Sequence, residues 1–286
     1  MRLTISLALA ASLAVLTVGG AAGAQQGQGP MLDFQRGPAT FSINGDLAEI
    51  DLSDSFLFLD ARNSQRLMEL NENPVSGSEA ATVVPISEED DWFLIFEWDP
   101  MGYVEDAEAD LDADAILESI RQGTAAANKE REKRGWSTMQ ILGWQEPPSY
   151  DPETNNLTWA IIGESEGVRN INYIVKLLGR DGVMTATLVA SPEELPIASA
   201  HTKHLLTKQF AFQSGHTYAE FVPGKDKLAE IGLAALIVGG AGAALVKSGL
   251  LARFWKVILV GLAAVGTAVR RFFTGTRAEE QPISQV

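Results

Sequence analysis

The stretch Leu157–Ala190, reading LTWAIIGESEGVRNINYIVKLLGRDGVMTATLVA, decides how this chain folds. Three strand-like runs lie in it: Leu157–Ile162, Asn170–Leu178 and Val183–Ala190. Gly163-Glu164-Ser165-Glu166-Gly167 and Gly179-Arg180-Asp181-Gly182 separate them. Both separators are short and bounded by glycine, the chemistry of hairpin turns, and the second is expected to need a positive φ. Runs joined by hairpins pair antiparallel.

Similar runs occur at Ala39–Ile43, Ala48–Leu52, Phe56–Leu59, Trp92–Trp98 and Met139–Trp144. Trp92-Phe93-Leu94-Ile95-Phe96 is apolar throughout, which predicts a central strand buried on both faces. Helical spacing appears at Asn63–Leu70, Asp112–Arg134 and about Pro196–Phe210. In the second, Ile116, Leu117, Ile120, Thr124 and Ala127 share a face, Asp112 is placed to cap it and Gly135 to close it. In the third, Ile197, Ala198, Leu205 and Leu206 form the apolar side, with Pro192 near its start. Pro147–Asn156 reads as a surface loop. The fold class is therefore α+β: a mostly antiparallel sheet with two or three helices, plus a C-terminal transmembrane helix or helical hairpin.

The two ends carry the membrane signal. Arg2, an apolar run to Val18 and Ala22-Gly23-Ala24 have the charged, apolar, small order of a cleavable secretory signal, with Gln25 as the mature N-terminus. Ile231–Val246 is uncharged and rich in Gly and Ala. Val257–Val269 is more strongly apolar, with Phe254 and Trp255 before it and Phe272 and Phe273 after it. Arg270 and Arg271 mark a cytoplasmic stop, so Phe254–Phe273 is the expected span. Ile231–Val246 is either a second span or a helix lying at the surface. The chain divides into a signal peptide (1–24), a flexible Gln/Gly linker (25–36), an exported α+β domain (37–226), a membrane anchor (227–273) and a short tail (274–286).

Composition limits the function. The chain has no cysteine, which excludes a disulfide framework, thiol catalysis and Cys-ligated metal. It has 37 acidic and 22 basic residues, a formal net charge of −15. Three acids and eight bases belong to the end segments, so 34 acids and 14 bases remain between them, a formal −20. Such a field repels phosphate backbones, so no nucleic-acid partner is expected.

No chemical motif outweighs its structural explanation. Gly163–Gly167 matches the G-x-S-x-G elbow, but the elbow needs a helix after Ser165, and a strand follows. Asp110, Asp112 and Asp114 imitate a calcium loop, yet Ala115 and Arg121 stand where it needs Gly and Glu. Those acids suit the N-terminal dipole of the Asp112–Arg134 helix instead. His201, His204 and His216 lie close in sequence without an H-E-x-x-H. The Trp residues, Trp144 and Trp159 among them, belong by default to the core. No metal, cofactor or catalytic residue is assigned.

One series of residues is specific as a set: Gly102-Tyr103-Val104 with Asp106, Asn128 with Arg131, and Gly143-Trp144 with Pro147 and Tyr150-Asp151. It continues through Leu157 with Trp159-Ala160, Asn172-Tyr173, Leu178-Gly179-Arg180 with Gly182, Phe212 with Gly215 and Tyr218, and Asp226-Lys227. Over most of Gly37–Gly249 the chain resembles the bacterial membrane-anchored proteins grouped as domain of unknown function 2167. The resemblance implies a cell-envelope protein with a C-terminal anchor, and no reaction or site residue. Asn128 and Arg131 read as a structural tie. The expectation is an extracytoplasmic (periplasmic-side) domain held at the cell membrane that binds an envelope partner protein or ligand. The alternative is an envelope hydrolase using a carboxylate pair or Ser165.

Overall fold

The computed structural model describes residues 32–71, 73, 75–87, 89–106 and 111–238. The signal peptide and the Phe254–Phe273 span lie outside the described residues. In chain order the elements are β1 (Gln35–Arg36), β2 (Ala39–Ile43), β3 (Ala48–Leu52), β4 (Phe56–Asp60), α1 (Ala61–Leu70) and β5 (Glu79–Pro85). They continue with β6 (Phe93–Asp99), α2 (Ala113–Lys133), β7 (Gln140–Asp151), β8 (Asn156–Ser165), β9 (Val168–Leu178) and β10 (Val183–Ala190). Last come α3 (Leu195–His204), a π-turn at Leu205–Gln209, β11 (Phe210–Phe212) and α4 (Leu233–Val238). The fold is α+β, with four helices among the described residues rather than two or three. None of them is long and apolar enough to cross a membrane.

An eight-stranded antiparallel sheet runs β1-β4-β5-β6-β10-β9-β8-β7, and a smaller one runs β11-β3-β2. β6 lies inside the large sheet and is buried from Phe93 to Phe96, as its unbroken apolar run requires. The small sheet covers one face: Ile43, Ile50 and Leu52 pack with Leu94, Phe96, Tyr173, Val175, Met184 and Leu188. The opposite face carries the helices. α2 and α4 set Ile116, Ile120, Leu233, Leu236 and Ile237 against Leu157, Trp159, Ile161 and Ile174. Met68 of α1 packs on Phe93, Ile95 and Val189. The beginning of the apolar stretch Ile231–Val246 is thus part of this core, through α4.

α2 obeys its local signals. Asp112 accepts from the Ala115 amide at 3.0 Å, and Gly135 closes the helix at φ 69°. Three expectations are corrected. Pro147 and Pro148 lie inside β7 rather than in a loop; β7 is the sheet edge, where a missing amide donor leaves no ladder bond unmade. Ile197 is 60% exposed, because the buried face of α3 runs through Ala198, Thr202, Leu205 and Leu206 at helical spacing and Ile197 lies off it. Gly179 and Gly182 do not adopt positive φ. They permit close approach: a Cβ on Gly182 would lie 2.1 Å from the Asp99 carbonyl oxygen.

Candidate functional site

The β8–β9 turn and the β9–β10 turn stand at opposite ends of β9, whose eleven residues extend about 35 Å. Each end gathers a different chemistry.

At the first end Glu166 (φ 53°) and Gly167 (φ 78°) form a two-residue turn closed by Ser165 opposite Val168. Behind it opens a cleft of about 610 Å³ lined by Asp91, Val168, Arg169, Asn170, Ser191 and Glu193, among others. Its rim is held by Glu194, whose carboxylate accepts the Asp91 amide at 2.6 Å and the Ser191 hydroxyl at 2.9 Å. Arg169 leans on Glu164 at 2.9 Å with most of its side chain in solvent. Asp91, Arg169 and Glu193 therefore line one space with Asn170 and Ser191, beside Val168, which is 56% exposed.

At the second end most of the family-like residues converge. Tyr103 is stacked between Tyr218 (4.4 Å between ring centres) and Phe221 (3.9 Å). Its amide donates to the Lys227 carbonyl at 2.8 Å, and its carbonyl accepts from Ala229 at 2.8 Å. Gly102 sits at φ 100°, where a Cβ would meet the Lys227 carbonyl oxygen at 2.7 Å. Arg180 grips Asp226 with two bonds of 2.7 and 2.9 Å, which holds that carboxyl low, near 2. The Tyr150 hydroxyl reaches Asp106 at 3.1 Å. Burial, with that carboxylate next, raises Tyr150 well above the ordinary phenol range.

A third feature was not foreseen. Glu79, Glu97, Thr185 and Lys176 stand in one cross-strand row over β5, β6, β10 and β9, all buried. Lys176 Nζ donates to Thr185 Oγ1 at 2.7 Å, and Ser78 Oγ donates to Glu97 Oε1 at 3.3 Å. Glu97 Oε2 has no hydrogen-bond partner among the described residues. Burial, then the charge of Glu79, pushes Glu97 up to about 8 against the pull of Lys176; burial lowers Lys176. The sequence signal was available: a Glu between Phe96 and Trp98, and a Lys within Ile174–Leu178, sit in runs otherwise apolar.

The sequence candidates are not assembled for catalysis. Ser165 donates to the Thr138 carbonyl at 2.9 Å, on the helix-covered side of the sheet. His201 lies against Phe56 and Trp92, and His216 pairs with Asp181 at the far end of β9. His201 and His216, close in sequence, are thus split between the two ends of the sheet, and Ser165 pairs with neither. No group of three metal-ligating side chains occurs among the described residues. Of the acidic run Glu105–Asp114, Asp106 accepts from Tyr150 and Asp112 caps α2. Asn128 brackets Met139, donating to its carbonyl (2.7 Å) and accepting its amide (2.9 Å), a structural tie as its spacing implied. Trp159 is core, and Trp144 ties to the Ala113 carbonyl at 3.1 Å.

The family model described as "Protein of unknown function (DUF2167)" matches residues 35–269. The chain belongs to this family. No curated protein matches it. Among solved structures it is similar to the cyanobacterial PsbP protein (CyanoP) of Synechocystis sp. PCC 6803, at 10% identity and a TM-score of 0.36, over 68% of this chain and 98% of that one. It is also similar to the protein of unknown function PA94 of Pseudomonas aeruginosa, at 12% identity and a TM-score of 0.25, over 59% of this chain and 94% of that one. Both likenesses are too distant to carry an argument about function.

Proposed function

We propose that this family member is an extracytoplasmic binding domain, tethered to the cell membrane by its C-terminal tract, that receives an envelope partner or ligand in the cleft at Asp91, Arg169 and Asn170. The observation that carries this reading is the placement of that cleft. It opens beside the β8–β9 turn, whereas Leu228 pairs with Tyr103 beside the β9–β10 turn before the chain packs on the helix face as α4 and continues to the C-terminal tract. A concave site with a few convergent polar groups, on a domain followed by an apolar C-terminal tract, supports a tethered binding module. The occupancy of Ser165 by Thr138 and the dispersal of the histidines count against the serine hydrolase alternative.

The test uses a photo-crosslinking residue at Asn170 in intact cells. A single discrete adduct is expected from position 170 and none from exposed Ala211, with Arg169→Glu abolishing it without lowering the melting temperature. Equal adducts from both positions, or indifference to Arg169→Glu, would sink the cleft as the binding site.

A further inference from the structure

The cleft beside the β8–β9 turn lies where one strand of the sheet stops short of its neighbours. β10 runs between β6 and β9, antiparallel to both, and its last pair is Ala190 with Ile171. β9 begins at Val168, three residues beyond that pair, and Asp91 and Trp92 lead into β6 on the other side. Where β10 ends, β9 and β6 are two strand spacings apart, about 9.5 Å, which is room for one extended chain. Ala190, Ser191 and Pro192 line the cleft where β10 leaves off.

The backbone along that space lacks a strand partner. Ser165 and Val168 close a two-residue turn, so they exchange backbone bonds with each other. Bonding direction alternates along an antiparallel strand, and Arg169 therefore turns its amide and carbonyl away from β8, toward the space. Continuing the β9–β10 register would set Pro192 opposite Arg169, and proline has no N–H to donate. Among the described residues no backbone bond joins Arg169 to the segment after Ala190.

The charges are unmatched as well. The carboxylates of Asp91 and Glu193 have no hydrogen-bond or ion-pair partner among the described residues, whereas Arg169 is paired with Glu164. A chain entering in the sense of β10 is antiparallel to both neighbours and leads with its amino terminus. Entering the other way, it is parallel to both and brings a carboxylate up to two carboxylates. Pairing and charge favour the same polarity.

We infer that the cleft takes the amino-terminal end of an extended peptide segment of a partner chain, its ammonium beside Asp91 and Glu193 and its first residue paired with Arg169. This deepens the binding reading above and rests on it. The ammonium donates to the two acids, and the first carbonyl of the peptide accepts the Arg169 amide. The first side chain stands cross-strand to that of Arg169, where an acid is favoured. The cleft thus selects a free chain end first and an acidic leading residue second.

The full chain in detergent is titrated by calorimetry with a pentapeptide that begins with glutamate and has a free amino terminus. Saturable binding is expected. The N-acetylated peptide should bind about tenfold or more weakly, because it loses charge-assisted bonds. The combined change Asp91→Asn and Glu193→Gln should weaken the free-amine peptide by a similar factor and leave the acetylated one unchanged. Both side chains are exposed, so the melting temperature should hold. Equal affinity for free and acetylated peptides overturns the chain-end mode, as does equally tight binding of an N-acetylated peptide whose only amine is a lysine side chain. If neither peptide binds while Asn170 still crosslinks in cells, the peptide assignment fails and the cleft stands as the site of another ligand. If Asn170 gives no adduct either, the cleft itself fails, and this inference with it.

Discussion

Glu97 and Lys176 put two ionisable groups where the neighbouring positions are apolar, and the cost of burying charge shows as a dependence on pH. The carboxyl of Glu97 titrates near 8 in the folded chain against an ordinary value of 4.5. Between those values the folded state keeps a proton that the unfolded chain has released. Its contribution to stability is complete below about pH 4.5 and is lost as pH rises through about 8, at up to about 1.4 kcal/mol per pH unit for one proton. Glu97→Gln is expected to remove this slope, so the melting temperature of the variant relative to the parent should rise between pH 5 and pH 8 (both about). A constant difference across that window would mean that Glu97 is not the linked group. Ser165 is the contrasting case. Its hydroxyl makes one bond to Thr138, and Ser165→Ala should cost about 1 kcal/mol in a denaturant titration.

Among the elements, the β9–β10 hairpin is sensitive to a single methyl group. A Cβ on Gly182 would meet backbone oxygen at 2.1 Å and Trp98 at 2.9 Å, whereas one on Gly143 meets nothing within 4 Å. Gly182→Ala should therefore destabilise by about 1–3 kcal/mol through overpacking. Gly143→Ala should be nearly neutral, and equal midpoints for the two would contradict the packing described. α2 is secured at both ends, by the Asp112 cap and by Asn128 on Met139. β5, by contrast, left no legible pattern. Glu79–Pro85 is buried on both faces and built largely of small residues, so it shows neither alternation nor a strong apolar run.

At the scale of the whole molecule, the place where the chain leaves its core decides how a truncation behaves. Leu233, Leu236 and Ile237 are buried against α2, each worth about 1.5–3 kcal/mol of apolar burial. Deleting 239–286 should release a folded domain from the membrane with little change in melting temperature. Deleting 228–286 should release a markedly less stable one, which thermal melts of the two fragments would compare. If the N-terminal segment is a cleaved signal, mass spectrometry of the membrane-extracted protein finds Gln25 first, and an intact Met1 refutes cleavage.

Local chemistry settled much in advance. β2, β3 and β10 begin and end where their patterns do, and α2 lies between its cap and its closing glycine. The Ser165 turn followed from the strand after it. These features depend on residues within a few positions of one another, which one sequence displays directly. Only the tertiary structure decided the rest. Register across β5, β6, β10 and β9 placed Glu79, Glu97, Thr185 and Lys176 in one buried row. Folding brought Tyr103, Tyr150, Arg180, Tyr218 and Asp226 to one end and the lining of the cleft to the other. Such neighbours lie tens of residues apart, and no local period records them. Their meeting is set by strand order and by the length of β9, which are properties of the packed sheet as a whole.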